Sequence, residues 1–216
     1  GLVKNEGWLK GPYTLFNYSR NFYRPASKVQ VDWTFPIDYK ALHFHDVMPE
    51  TRAMMELIDR IKPTFAYALH NAGFGGVYWY VSEDVPDAYA SLREAAERQG
   101  IPLHLGEPES PCLKVLGPAV LLAEGIEAEY DYFDKLGASD IDIVKIITSG
   151  TCSDDYSKKH YGTFTFLTEL PYFFDLRIAD PSPAPVTRRE AVLEKLDWTC
   201  ESNRQVREVL DFSREH

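Results

Sequence analysis

The sequence predicts an α/β layered fold. Apolar segments rich in β-branched and aromatic residues alternate with amphipathic segments of helical period, and proline or glycine punctuates the joins. With 216 residues, 44% of them hydrophobic, the chain can bury a substantial core and falls within the size of one α/β domain.

Residues 1–48 are rich in aromatic and turn residues, and Pro12, Pro25 and Pro36 interrupt them, which predicts irregular structure with short strands. The segment PETRAMMELIDRIKP predicts a helix from about Glu50 that ends before Pro63, with Met54, Leu57, Ile58 and Ile61 at helical spacing. TFAYALH follows as an expected buried strand and GVYWYVS as another. PDAYASLREAAERQ predicts an amphipathic helix closed by Gly100, and a further helix is expected over about 118–136, closed by Gly137. IDIVKIIT and TFTFLTEL read as strands. The Pro-rich ADPSPAP then leads to a polar helix over about 187–213. The domain is expected to span 1–185, with 186–216 a helical extension packed on it.

A formal charge of −10 argues against nucleic acid or an anionic membrane surface as a partner. No run approaches the ~20 apolar residues of a membrane span. Cys112, Cys152 and Cys200 are an odd number without CxxC spacing, which favours reduced thiols over a disulfide framework or thiolate zinc site. Reduced thiols favour a cytoplasmic location and no signal peptide is visible, although the chain opens on Gly1 rather than methionine.

His70 stands at the end of an apolar strand, directly before a loop with three glycines. Three readings suit it: a metal ligand, a general base, or a histidine hydrogen-bonded in the core. Glu169 ends a second strand, followed by Leu170 and Pro171, where an ionised carboxylate is expensive to bury and makes a general-base candidate. Two such strand ends can converge on the carboxyl edge of the sheet, where open α/β sheets bind ligands.

NEGW, NFYRP, DWTFP, PET, LHNAGFGG and TEL, in that order over about 1–175, resemble the zinc carboxypeptidase (carboxypeptidase A-type) family. The resemblance implies a three-layer α/β/α fold on a mixed, mostly parallel sheet. It implies zinc as cofactor, His70 as a zinc ligand and Glu169 as the base that activates the zinc-bound water. The family's upstream His-x-x-Glu, which supplies the other two ligands, is not in this sequence, so the chain is expected to be the C-terminal, N-terminally incomplete part of such a domain. HLGE, His104 to Glu107, follows His70 and is taken as coincidence. His43 and His45 share the spacing of one strand face but suit a solvated loop.

By the same resemblance, Arg20 is expected to polarise the scissile carbonyl and Arg24 to bind substrate, each equally readable as a surface arginine. Asp32 stands near the place of the family's Asn-Arg pair, a departure that suits a substrate amine. Asn71 and Tyr78 flank the glycine loop as further substrate-binding candidates. Asp154 in SDDY matches the pocket floor of members that prefer basic side chains, or else caps a turn or helix. The expected substrate is a peptide, with a basic or diaminopimelate residue as one option. The expected function is a zinc-dependent carboxypeptidase or related amide hydrolase, the alternative being an inactive carboxypeptidase-like binding module. A non-zinc hydrolase is weakest, because no GxSxG-type nucleophile elbow occurs.

Overall fold

The computed structural model describes residues 25–215 apart from 73, 74, 173, 175–177, 179 and 181. The chain divides into two compact units, 1–178 and 179–216, somewhat before the expected boundary at 185.

The first unit is α/β, as its sequence pattern predicts. A hairpin of β1 (Ile37–Tyr39) and β2 (Leu42–Phe44) precedes α1 (Pro49–Ile61) and β3 (Phe65–Asn71). There follow β4 (Tyr78–Val81), α2 (Pro86–Arg98), β5 (Val115–Gly117) and β6 (Val120–Leu122). Then come α3 (Ile126–Lys135), α4 (Asp140–Ile146), α5 (Ser153–Tyr161) and β7 (Phe164–Leu170). Proline occupies the first turn of both α1 and α2, where its missing N–H costs nothing.

Five strands form one sheet in the order β3-β7-β4-β6-β5. β3 with β7 and β4 with β6 are parallel, while β4 with β7 and β5 with β6 are antiparallel. The sheet is therefore evenly mixed rather than mostly parallel. Its centre is dry: Val77, Trp79, Val81 and Val120 are buried, and Ala96 of α2 packs against them. A second core joins the hairpin to α3 and α4 through Ile37, Leu42, Phe44, Tyr130, Ile143 and Ile147.

Two helix–strand units lie side by side, α1 leading into β3 and α5 into β7. Asp59 of α1 accepts hydrogen bonds from Tyr156 and Tyr161 of α5, both at 2.8 Å. Those hydroxyls hold the Asp59 carboxyl below its usual range. At the strand starts, the Thr163 hydroxyl donates to the Pro63 carbonyl at 2.6 Å. Further on, Ser82 at the end of β4 receives the Thr165 amide on its hydroxyl at 2.8 Å, and its carbonyl accepts from Lys158 Nζ of α5 at 2.6 Å.

Three expectations are corrected. Residues 118–136 are not one helix: Ala119 takes a φ of 60°, β6 follows, and α3 starts only after Gly125. The carboxylate of Asp155 packs where a Gly125 side chain would stand and accepts from the Ile126 amide, so it closes the start of α3. IDIVKIIT is a helix, not a strand. Ser139 caps it by accepting from the Asp142 amide, Asp140 and Asp142 sit in its first turn, and Ile143 and Ile147 share a face one turn apart. Among the described residues β3, expected to be buried, is an edge strand with Phe65, Tyr67 and Leu69 each more than half exposed.

The second unit contains α6 (Arg188–Glu215). It opens on a capping box in which Thr187 Oγ1 accepts from the Glu190 amide at 3.2 Å and Glu190 Oε2 accepts from the Thr187 amide at 2.7 Å. Among the described residues no helix is long and apolar enough to cross a membrane.

The α4 assignment has a direct test. Ile143 is fully buried and Ile141 is 67% exposed, whereas a strand would put both on one face. Ile143→Ala is expected to cost about 2–5 kcal/mol and Ile141→Ala no more than ~0.5 kcal/mol. Equal losses in urea unfolding would contradict the helix.

Candidate active site

The register places the site. β3 and β7 run in parallel with His70 opposite Glu169, and across the other side of β7 Glu169 stands opposite Tyr78 of β4. Side chains alternate along a strand, so Ala68, His70, Leu167, Glu169, Tyr78 and Tyr80 share one face of the sheet. Phe65, Tyr67, Phe164, Phe166, Trp79 and Val81 share the other.

His70 Nδ1 lies 3.2 Å from Glu169 Oε1. Their environments differ: the imidazole is 55% exposed and the carboxylate only 11%. Burial pushes the Glu169 carboxyl above its usual range, the imidazole pulls it back in part, and the nearby Glu109 carboxylate raises it. Glu169 thus holds a proton more tightly than an ordinary glutamate.

The glycine loop now has a physical reason. Val77 donates to the Pro102 carbonyl at 2.8 Å, and the His104 amide donates to the Val77 carbonyl at 2.9 Å. A side chain at Gly76 would run into the backbone of Leu103 and His104. That close approach brings the loop 104–113 onto the site. The His104 ring lies 5.1 Å from the Tyr78 ring, and its Nε2 stands 3.3 Å from the Glu107 carbonyl. Tyr78 donates to Glu109 Oε1, and the Tyr80 hydroxyl lies 3.4 Å from Glu109 Oε2. Burial first, and then the Glu109 carboxylate, push both phenols far above their usual range, so both remain protonated donors.

Of the expected site residues, His70, Glu169 and Tyr78 come together, with Asn71 next along β3. Asp32 lies in the short 3-10 turn Val31–Trp33 beside the start of α1, where Thr51 of the helix donates to the Val31 carbonyl at 2.9 Å. Arg20 and Arg24 lie outside the described residues. Asp154 stands in the first turn of α5, grouped with Cys152 and Asp155. His43 and His45 both face Asp38, at 2.8 and 3.0 Å, on the exposed hairpin. Sequence reading missed Glu109, Tyr80 and the packing role of His104. The paired glycines were the one signal that another backbone approaches there.

Zinc needs about three protein ligands around one point. Among the described residues, the group of histidine, cysteine and carboxylate side chains with metal-binding spacing is Cys152, Asp154 and Asp155, which does not include His70. Burial raises the Cys152 thiol well above its ordinary value, which disfavours the thiolate a metal would take. The described residues therefore do not by themselves fit a zinc site at His70.

Comparisons with protein-family models, curated proteins and solved structures found no match for this chain.

The raised Glu169 pKa fixes the sign of a stability test. Because the folded state favours the protonated carboxyl, stability from this group is present below the ordinary value of 4.5 and is lost as pH rises through the higher folded value. Glu169→Gln, which mimics the protonated form, is expected to raise Tm at neutral pH and to match the parent in acid. A lower Tm at neutral pH would mean that the ionised carboxylate holds the strand end in place.

Proposed function

We propose that this chain carries the proton-transfer half of an amide-hydrolase site of the zinc carboxypeptidase type, with Glu169 as general base. The observation that carries the reading is the largely buried carboxylate of Glu169 at a strand end, 3.2 Å from the imidazole of His70. Burial gives Glu169 the higher proton affinity a base needs near neutral pH. Both side chains point from parallel strand ends into the place where α/β sheets bind ligands. The three-layer carboxypeptidase-like architecture belongs to the same proposal.

Glu169 would take a proton from a water as the water oxygen attacks the carbonyl carbon of a peptide bond. The C–N bond then breaks, and the same proton passes from Glu169 to the departing amine. His70 holds the Glu169 carboxylate in place through Nδ1. Tyr78 and Tyr80, both kept protonated, offer O–H donors rather than bases. Zinc and His70 as its ligand remain part of the proposal, with the other ligands supplied from outside the described residues.

A second reading has its own observation: the described residues bring no three-ligand set to His70, which suits a carboxypeptidase-like module that binds peptides without cleaving them.

Peptide cleavage followed by mass spectrometry, with zinc supplied, separates the two. Glu169→Gln is expected to lower turnover about 10²–10⁴-fold while circular dichroism stays unchanged. Binding without cleavage by both forms would establish the module. Elemental analysis after dialysis is expected to find zinc well below one per chain, and tight stoichiometric zinc would overturn the shared-ligand reading.

A further inference from the structure

The loop 104–113 delivers a second carboxylate to the face of the sheet that carries Glu169. Glu109 is fixed there by the hydroxyls of Tyr78 and Tyr80, the two tyrosines that β4 presents on that face. Tyr78 is also the cross-strand neighbour of Glu169, so one phenol spans the gap between the two carboxylates. The loop is seated by the His104 amide on Val77 and by the His104 ring on Tyr78. Both partners of Glu109 are neutral donors. They orient its charge without cancelling it, and among the described residues the basic group beside Glu169 is His70.

We propose that Glu109 is the specificity residue of this site and receives a cationic group, a lysine-type ammonium, on the substrate whose amide faces Glu169. This rests on the reading of Glu169 as the base, because it names the substrate class of the same site. The physical logic is complementarity. A held carboxylate meets an ammonium with little reorganisation, and a charge-assisted hydrogen bond is about twice as strong as a neutral one. A neutral side chain of the same length leaves two like charges facing each other across Tyr78.

The test uses equilibrium binding, so it does not depend on turnover. The probes are acetyl-Lys-Ala-Lys and acetyl-norleucine-Ala-norleucine, which have the same backbone and presence or absence of ammonium on both sides of the central residue. Calorimetry on the full chain at neutral pH is expected to give the lysine peptide roughly 10–100-fold tighter binding, with the gap narrowing as salt rises. Glu109→Gln is expected to close the gap, so that the two peptides bind alike. Glu109→Asp guards against a folding artefact and is expected to restore part of the gap.

Equal affinities in the parent chain, an undiminished preference in Glu109→Gln, or no binding of either peptide would each overturn the proposal. Glu169→Gln, measured alongside, is expected to keep the lysine preference. If that variant also kept full turnover, the base assignment would fail while the binding result stood, so the two failures are distinguishable.

Discussion

The parallel register of β3 against β7 is the constraint on which the rest of the site depends. Seven pairs run from Phe65 opposite Phe164 to Asn71 opposite Leu170. A slip of one residue would turn His70 to the far face while Glu169 stayed where it is. Several contacts resist that slip. Phe65 stacks on Phe164 and Tyr67 on Phe166, with ring centroids 6.1 and 5.6 Å apart. Before the strands begin, Asp59 and its two tyrosines tie α1 to α5, and Thr163 ties the two strand entries together. The site is thus aligned from its far end, by contacts made before either strand starts.

On that frame the site is electrostatically lopsided. Glu169 and Glu109 stand on one sheet face with one half-exposed imidazole between carboxylate and solvent. The tyrosines do not balance this charge. They direct it, because a phenol held protonated can only donate to a neighbouring carboxylate. Elsewhere the carboxylates have structural duties: Asp59 joins two helices, and Asp155 closes the start of α3 while accepting from Thr151.

What could be read in advance divides along physical lines. The helices α1, α2 and α6 were legible because period, proline starts and capping residues agree within each segment. His70 and Glu169 were legible because chemistry-bearing residues end apolar strands. IDIVKIIT misled because its β-branched isoleucines favour a strand, while Ser139 and the two aspartates act locally to start a helix, and burial of Ile143 with Ile147 decides the matter. The exposure of β3 was not legible, since strand order is a tertiary fact that no segment reveals. Glu109 was hidden for the same reason. It lies in a loop that reaches the site only because residues 102–104 pair with Val77. Asp154 drew attention through its neighbours' pattern, yet it is Asp155, one position later, whose carboxylate the packing employs.

The position of β3 ties the imidazole to the outer rim of the sheet. Among the described residues this strand is paired on one side only, carries no acidic or strongly basic side chain, and shows Phe65, Tyr67 and Leu69 to solvent. Charges, bulges and prolines, the usual guards against unwanted strand addition, are missing from it. Its last residues hold His70, so stiffness at the rim and precision at the chemistry are the same mechanical property. The rim therefore acts as a tensioner for the site: the imidazole is only as well aimed as the outermost row of amides is well held.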